Sequence, residues 1–174
     1  MNRDERAFFD SVYTSTFSTL FKVVHRIVGD HDTAEEICHD AFIRFFQHSA
    51  TLPDEQQARY WLLRVGKNLA FNFSKRKGRE RTAYERVRHE PQRPEESADA
   101  PVLFDETTHI VREAINALPR TLRDVIVLKE YGNLSYTEIG RTLGISVGNV
   151  KVRVHRARER LARQLEEDDV HIPR

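Results

Sequence analysis

Segment 134–161 limits the fold of this chain more than any other stretch, because it predicts two short helices joined by a tight turn. Ser135 stands three residues before Glu138, the spacing at which two side chains satisfy the free amides at a helix start. Gly144 follows the first short helix, and glycine takes the left-handed conformation of an abrupt helix end without strain. Ser146 is then placed to cap a second helix.

The second of these helices has an apolar face and a basic face. Apolar residues recur at spacings of four, three and four and form one stripe: Val150, Val154, Ala157 and Leu161. The outward residues are mostly basic or polar: Asn149, Lys151, Val152, Arg153, His155 and Arg156. This pattern is typical of a helix-turn-helix, whose second helix enters a DNA major groove. A solvated basic helix in an ordinary bundle is the alternative, and the glycine between two capped helices argues against it.

Charge is distributed unevenly, although the net charge of the 174 residues is only +1. Residues 59–88 carry ten basic against two acidic side chains, and residues 141–163 carry seven against one, so these blocks have net charges of +8 and +6. Residues 31–57 carry six acidic side chains against one arginine, a net charge of −5. Alternating blocks of this kind predict nucleic acid at some surfaces and a protein partner at another.

The apolar residues follow helical periods almost everywhere, so we expect an all-α fold. Helices are predicted over about residues 5–28, 32–48 and 58–77, with a capping box beginning at Asp32 and an inward stripe of Leu62, Val65, Leu69 and Phe73 on the third. Residues 81–105 are polar and contain three prolines, which predicts a flexible linker. The chain should therefore form two helical domains, residues 1–80 and 106–168.

The third helix is a second candidate for nucleic-acid binding. Beside its apolar stripe lie Arg64, Asn68, Asn72 and Lys75, followed by Arg76. Amides can bond base edges, and cations hold phosphates. Trp61 could stack on an unpaired base, although a single tryptophan beside an apolar stripe is more often a core residue.

The second helix has an acidic outer face that indicates a protein contact. Glu36 and Asp40 are one turn apart and lie off the core stripe, close to Ile43 and Phe46. Exposed apolar side chains beside carboxylates fit an interface with a basic protein. A solvated acidic face is the alternative, and the residues alone leave both open.

Catalytic and membrane motifs are missing from the sequence. There is no phosphate-binding glycine loop, nucleophile elbow or HExxH, and the histidines lack metal-ligand spacing. We therefore expect no enzyme activity, cofactor or metal. No stretch has the length and hydropathy of a membrane span or signal peptide, which predicts a cytoplasmic protein without membrane insertion. Cys38 lies on an apolar stripe and is predicted to be a small core residue.

Three segments, in order, resemble the extracytoplasmic-function (ECF) sigma factors of the sigma-70 family. IVGDHDTAEEICHDAFIRFF resembles regions 2.1–2.2, YWLLRVGKNLAFNFSKRKGRER resembles regions 2.3–2.4, and the segment from ALPRTL to RARERL resembles region 4. Together they cover about residues 8–80 and 108–165. The resemblance implies a subunit that binds core RNA polymerase, recognises and melts promoter DNA, and starts transcription.

The same resemblance implies roles for individual residues. Glu35, Glu36 and Asp40 match positions that contact the β′ clamp helices of the polymerase. Positions that capture unpaired −10 bases are matched by Arg64, Asn68, Asn72, Lys75 and Arg76, together with the loop 49–57. Those that read the −35 element as duplex are matched by Asn149, Lys151, Val152, Arg153, His155 and Arg156. Region 4 would also dock on the β flap, and an anti-sigma factor is an expected partner.

Two departures from the family pattern affect sequence specificity. Asn149 and Val152 stand where the family often has Thr and Ser, and Val152 can make only apolar contacts, for instance with a thymine methyl group. The loop 49–57 lacks the Arg-Gly that is common there. The main alternative function is a stand-alone helix-turn-helix regulator, which would bind duplex DNA without polymerase. A sigma mimic that only titrates an anti-sigma factor is a further alternative.

Overall fold

A computed structural model describes residues 3–88 and 102–167. Within these ranges the chain forms helices and no strand, so the predicted all-α fold is confirmed. The helices are α1 Arg3–Val28, α2 His31–His48, α3 Glu55–Arg88, α4 Val102–Ala117, α5 Arg120–Glu130, α6 Tyr136–Leu143 and α7 Val147–Glu167. No helix in the described ranges is long and apolar enough to cross a membrane.

Helix α3 is longer than the sequence pattern indicates. It continues past Lys77 through Gly78 to Arg88, and α4 begins at Val102 rather than near residue 106. A glycine inside a helix costs about 1 kcal/mol relative to alanine, which the helix-favouring residues on both sides of Gly78 can offset. The pair Arg76–Glu80, at 3.7 Å, spans the glycine. Both helices thus extend into the predicted linker 81–105, of which residues 89–101 lie outside the described part.

The N-terminal bundle consists of α1, α2 and α3. The apolar stripe of α2 is buried against Val12, Leu20 and Val24 of α1. Its residues are spaced three or four apart, as a helix predicts: Ala34, Ile37, Cys38, Ala41 and Phe45. Cys38 is fully buried, as predicted, and burial raises the pKa of its thiol to about 12. The thiol is therefore a packing group at neutral pH.

The N-cap of α2 lies two residues earlier than predicted. Asp30, not Asp32, is the N-cap, and its carboxylate accepts a hydrogen bond from the Thr33 amide at 2.8 Å. Hydrogen bonding with the Thr33 side chain and then with the Thr33 amide lowers the pKa of Asp30. Gly29 precedes it at φ +79°, a backbone conformation that other residues rarely adopt.

The C-terminal bundle consists of α4 to α7 and contains the predicted helix-turn-helix. Ser135 and Glu138 form a complete capping box at the start of α6, and Gly144 ends that helix at φ +69°. Ser146 accepts a hydrogen bond from the Asn149 amide at 3.3 Å, as a cap of α7. On α7 the inward stripe is buried at Val150, Val154 and Ala157 and half-buried at Leu161.

The two bundles pack against each other and share one continuous core. Val23 of α1 is fully buried, and its side chain lies next to Gly132, in the turn after α5. Lys67 of α3, only 1% exposed, forms an ion pair of 2.8 Å with Asp124 of α5. The sequence pattern did not predict this packing between the two bundles.

This packing changes which face of α3 is buried. Val65, Leu69 and Phe73, predicted to point inward, are only half-buried. The deeper positions follow two adjacent rows, one through Leu62, Gly66 and Ala70 and one through Leu63, Lys67 and Phe71. Gly66 of the first row lies directly against Leu20 of α1. Lys67 of the second row meets α5, so α3 is covered on two sides.

Candidate nucleic-acid interfaces

The outer face of α7 is available to a ligand. Lys151, Val152, His155 and Arg156 are exposed, and together with Glu159 they line one open depression. Val152 keeps 48% of its surface exposed although it is aliphatic. A β-branched side chain held in water beside two cations suits contact with a methyl-bearing base edge.

Two contacts along α7 orient the polar side chains of this face. The amide oxygen of Asn149 accepts a hydrogen bond from Nε of Arg153 at 3.0 Å, one turn further on. Nδ1 of His155 lies 3.2 Å from the Glu159 carboxylate. By contrast, Lys151 and Arg156 have no ion-pair partner in the described part of the chain, so both can pair with phosphate or base acceptors without first losing a carboxylate.

A solvent-exposed ion pair links α7 to α5. The guanidinium of Arg158 donates two hydrogen bonds to one carboxylate oxygen of Glu130, at 2.7 and 3.2 Å. This bonding raises the pKa of Arg158. The buried stripe of Val150, Val154 and Ala157 sets the rotation of α7 and keeps Val152 and Arg156 outward, and this pair adds a contact to α5 at the edge of that packing.

The second candidate surface lies on α3. Arg64, Asn72 and Lys75 are exposed, and they are spaced so that they share one face of the helix. Asn68 is half-buried, and its side-chain oxygen accepts a hydrogen bond from Nζ of Lys67 at 2.9 Å. The Asn68 amide group is therefore oriented by a residue that the sequence analysis counted only as part of the basic block.

The basic end of this surface is partly neutralised. Nε of Arg76 lies 3.7 Å from Glu80, and its guanidinium stands over the Phe73 ring at 5.5 Å. Two exposed cations of the predicted set, Arg64 and Lys75, have no ion pair or ring contact among the described residues. Arg64, Asn72 and Lys75 thus form the open part of the predicted −10 surface.

The segment before α3 is short, and its last residue caps the start of that helix. A single 3-10 turn at Ser49–Thr51 is followed by Asp54, whose carboxylate accepts a hydrogen bond from the Gln57 amide at 2.7 Å. Trp61 is half-buried against the core, and its ring stacks on His48 with centroids 5.4 Å apart. Because one face of the indole is occupied by His48, the structure favours a packing role for most of this side chain.

The outer face of α2 combines carboxylates with exposed apolar groups. Glu35 and Glu36 are exposed, whereas Asp40 is half-exposed and pairs with Arg44 at 3.1 Å. Ile43 and Phe46 keep 59% and 51% of their surfaces exposed. Phe46 also contacts Phe9, at 6.2 Å between ring centroids, so the patch continues onto α1.

Sequence reasoning missed the charged cluster that joins the two bundles. Lys67 and Asp124 form its centre, with Nε of Arg120 3.8 Å from the same carboxylate and Arg123 lying 3.9 Å over the Phe71 ring. Burial lowers the pKa of Lys67, and Asp124 opposes that shift. No pattern within α3 marks Lys67 as buried, because α5 covers it only through a contact distant in sequence.

Metal binding has no support in the described residues, where no group of three or more His, Cys, Asp or Glu side chains could hold an ion.

Comparison with known proteins gives two family matches in the order seen in the fold. Residues 12–80 match Sigma-70 region 2, and residues 108–161 match Sigma-70, region 4. The first matched range falls within α1–α3 and the second within α4–α7.

Two relatives that align with most of this chain are ECF sigma factors. The ECF RNA polymerase sigma factor SigW of Bacillus subtilis is 32% identical over 93% of this chain and 90% of its own length. The ECF RNA polymerase sigma factor SigE of Mycolicibacterium smegmatis is 30% identical over 88% of this chain, which spans 60% of that protein.

Solved structures support the fold. CnrH, in complex with the cytosolic domain of CnrY, matches with a TM-score of 0.64 at 21% identity, over 92% of this chain and 88% of that one. The sigma factor RpoE, in complex with the anti-sigma factor NepR from Bartonella quintana, matches with a TM-score of 0.59 at 22% identity, over 91% and 96%. With both sigma-70 regions present in order and a whole-length relative above 30% identity, the chain belongs to the ECF sigma factors of the sigma-70 family, which recognise promoters for RNA polymerase.

Proposed function

We propose that this chain binds core RNA polymerase and directs it to promoters, with the residue roles given below. The observation that carries the proposal is the pairing of two DNA-compatible helix faces, on α3 and α7, with a separate acidic and apolar face on α2. A stand-alone DNA reader needs the α7 face alone. The α2 face fits a protein partner, and the amide-rich α3 face fits a second stretch of DNA.

The α7 face would read the −35 element in the major groove. Arg156 is exposed and unpaired, so it can donate two hydrogen bonds to O6 and N7 of a guanine. Val152 can contact a thymine methyl group, and Lys151 can hold a phosphate. Asn149 orients Arg153 at the first turn of the helix, and the His155–Glu159 pair restrains the imidazole.

The α3 face would take the −10 element. Arg64 and Lys75 lie at its two ends and can hold the backbone, while Asn68 and Asn72 between them can bond the edges of unpaired bases. Arg76 adds charge at the end of the row. The loop 49–57 lies next to this face, at the start of α3.

Glu35, Glu36 and Asp40 would contact the β′ clamp helices, with Ile43 and Phe46 supplying apolar area at the centre of the contact. Region 4 would dock on the β flap. Binding to core polymerase places the chain in the cytoplasm as an initiation factor, without chemistry of its own. An anti-sigma factor is the expected inhibitor.

Reconstituted transcription tests this function. Core polymerase of the source bacterium, with and without the purified chain, is given a genomic promoter library, and run-off products are sequenced. We expect initiation at a defined set of promoters only when the chain is present. Tight binding to duplex DNA without core polymerase, and no initiation with it, would instead favour the stand-alone regulator.

A further inference from the structure

The outer face of α7 carries one acidic side chain among many basic ones. Residues 141–163 contain seven lysines and arginines and a single acid, Glu159. Glu159 is exposed, and it lines the same open depression as Val152, His155 and Arg156. A carboxylate at this place repels DNA phosphates and lowers the general affinity for DNA. Charge attraction to DNA therefore does not account for an acid at this position.

Glu159 lies one helical turn beyond His155 and contacts its ring. Nδ1 of His155 is 3.2 Å from a carboxylate oxygen of Glu159. Residues four apart lie on the same face of a helix, so the backbone keeps these two side chains within reach of each other. The contact involves one particular ring nitrogen, and the other nitrogen, Nε2, is left to meet a base edge.

A carboxylate beside Nδ1 decides where the imidazole of His155 carries its proton. The neutral ring has one N–H donor and one bare nitrogen that accepts, and the partner of one nitrogen sets the state of the other. A bare Nδ1 would place its lone pair against the negative oxygen of Glu159, whereas an Nδ1–H group is attracted to that oxygen. Glu159 therefore favours the Nδ1–H form, in which Nε2 has no hydrogen.

The tautomer determines which bases His155 can recognise. A bare Nε2 only accepts a hydrogen bond, and the donors in the major groove are the amino groups of adenine and cytosine. In the other tautomer Nε2–H would donate, which suits the acceptor oxygens of guanine and thymine. The pair is largely exposed in the free protein, and such pairs are weak in water. Loss of water on docking in the groove strengthens the contact.

We propose that Glu159 is a positioning residue for −35 recognition: it holds His155 in the Nδ1–H tautomer, so that Nε2 meets the DNA as a hydrogen-bond acceptor. The base-reading part of this inference rests on the proposed function, whereas the tautomer does not. Residues near the start of a recognition helix contact the base edges, and Glu159 lies beyond the reading positions 149–156. It acts through the imidazole, so an adenine or a cytosine is expected opposite His155.

Nitrogen NMR of the imidazole rings tests the tautomer in the free protein at about pH 8, at which free imidazole is neutral. The signal of His155 is identified by its loss in His155→Gln. We expect the proton on Nδ1 in the parent, and the ratio of Nδ1–H to Nε2–H should fall about two- to fivefold in Glu159→Ala. Glu159→Gln should keep most of the preference, because its amide oxygen can accept the same hydrogen bond. Glu166→Ala removes another exposed carboxylate of α7 and is the matched control, with no change expected at His155.

Run-off transcription from promoters randomised in the −35 element tests the consequence for base reading. Glu159→Ala should reduce the preference for the amino-bearing base at one position about two- to tenfold, the effect of one hydrogen bond. Glu166→Ala should raise the use of all promoters alike, because it removes a negative charge without touching His155. In a His155→Ala background, removal of Glu159 should not change base choice further, because the two residues act as one unit.

The inference is overturned by a proton on Nε2 in the parent, or by an unchanged tautomer ratio or base preference in Glu159→Ala. It is also overturned if removal of Glu159 changes base choice equally in the His155→Ala background, since Glu159 would then contact a base itself. Absence of initiation by the parent on every promoter would overturn the proposed function and with it the base-reading role. The NMR comparison would still decide the tautomer.

Discussion

The main-chain oxygen of Ile145 lies 2.8 Å from the point where a Cβ atom on Gly140 would stand. The two residues are also joined by a hydrogen bond of 3.0 Å from the Ile145 amide to the Gly140 carbonyl. The turn of the helix-turn-helix therefore crosses α6 at a position where only glycine fits. Sequence patterns assigned importance to Gly144 and gave no weight to Gly140.

Gly140→Ala should destabilise region 4, because the added methyl group meets backbone rather than a side chain that can move. Gly148→Ala is the matched control in the same motif: no atom lies within 4 Å of its Cβ position, and alanine should add about 0.5–1 kcal/mol of helix stability. Urea unfolding of both variants checks this pair. Equal urea midpoints for the two variants would contradict the crowding at Gly140.

Ser135→Ala should lower the stability of region 4 by about 1 kcal/mol, the usual effect of losing an N-cap side chain. Ser135→Thr retains the hydroxyl and should restore most of the loss. Thermal unfolding of the three proteins gives the comparison, and an alanine variant as stable as the parent would exclude a stabilising capping box.

The same capping box predicts a pH dependence. The backbone hydrogen bond from Ser135 is the largest influence on Glu138 and lowers its pKa below the ordinary value of 4.5. The stabilisation from the carboxylate is complete above 4.5 and is lost as pH falls through the lower pKa of the folded state. Unfolding between pH 6 and 3 should show less acid sensitivity in Glu138→Gln than in the parent; identical curves would contradict this assignment.

Arg156→Ala should abolish the preference for one −35 sequence, at a cost of about 1–3 kcal/mol in discrimination. Arg163→Ala, exposed two turns further along α7, should weaken binding to all sequences alike. Run-off transcription on promoters that vary only in the −35 element measures both. Unchanged preference in Arg156→Ala would remove that residue from base reading.

Asp40→Arg should weaken binding to core polymerase while the helix content stays the same. Asp32→Arg, which changes an exposed carboxylate in the first turn of the same helix, is the control. Co-purification with core polymerase is the measurement. Retention equal to that of the parent would exclude Asp40 from the contact.

The helix-turn-helix was predictable because its signals are local. Capping residues, the stop at Gly144 and the Val150–Ala157 stripe act within one or two turns, and all are confirmed. The outward position of Val152 followed from the same periodicity.

Lys67 was not predictable for the opposite reason. Its burial depends on Asp124, 57 positions later in the chain, and no periodicity within α3 encodes that contact. The sequence pattern also assigned the buried stripe of α3 to the wrong residues. The reason is the same, because α1 and α5 pack against two different sides of that helix. DNA and polymerase contacts of the individual residues stay predictions until variants are measured.

Helix α3 has a consequence for how the two regions meet. Because it stays helical to Arg88, the connection to Val102 starts at the end of a rigid arm, about 16 Å beyond Lys77. Region 4 is covalently tethered to region 2, so its packing against region 2 is an intramolecular event. A short tether supplies an effective concentration on the order of millimolar. The contacts between the two bundles therefore form at an effective concentration far above that at which two separate domains would meet in dilute solution.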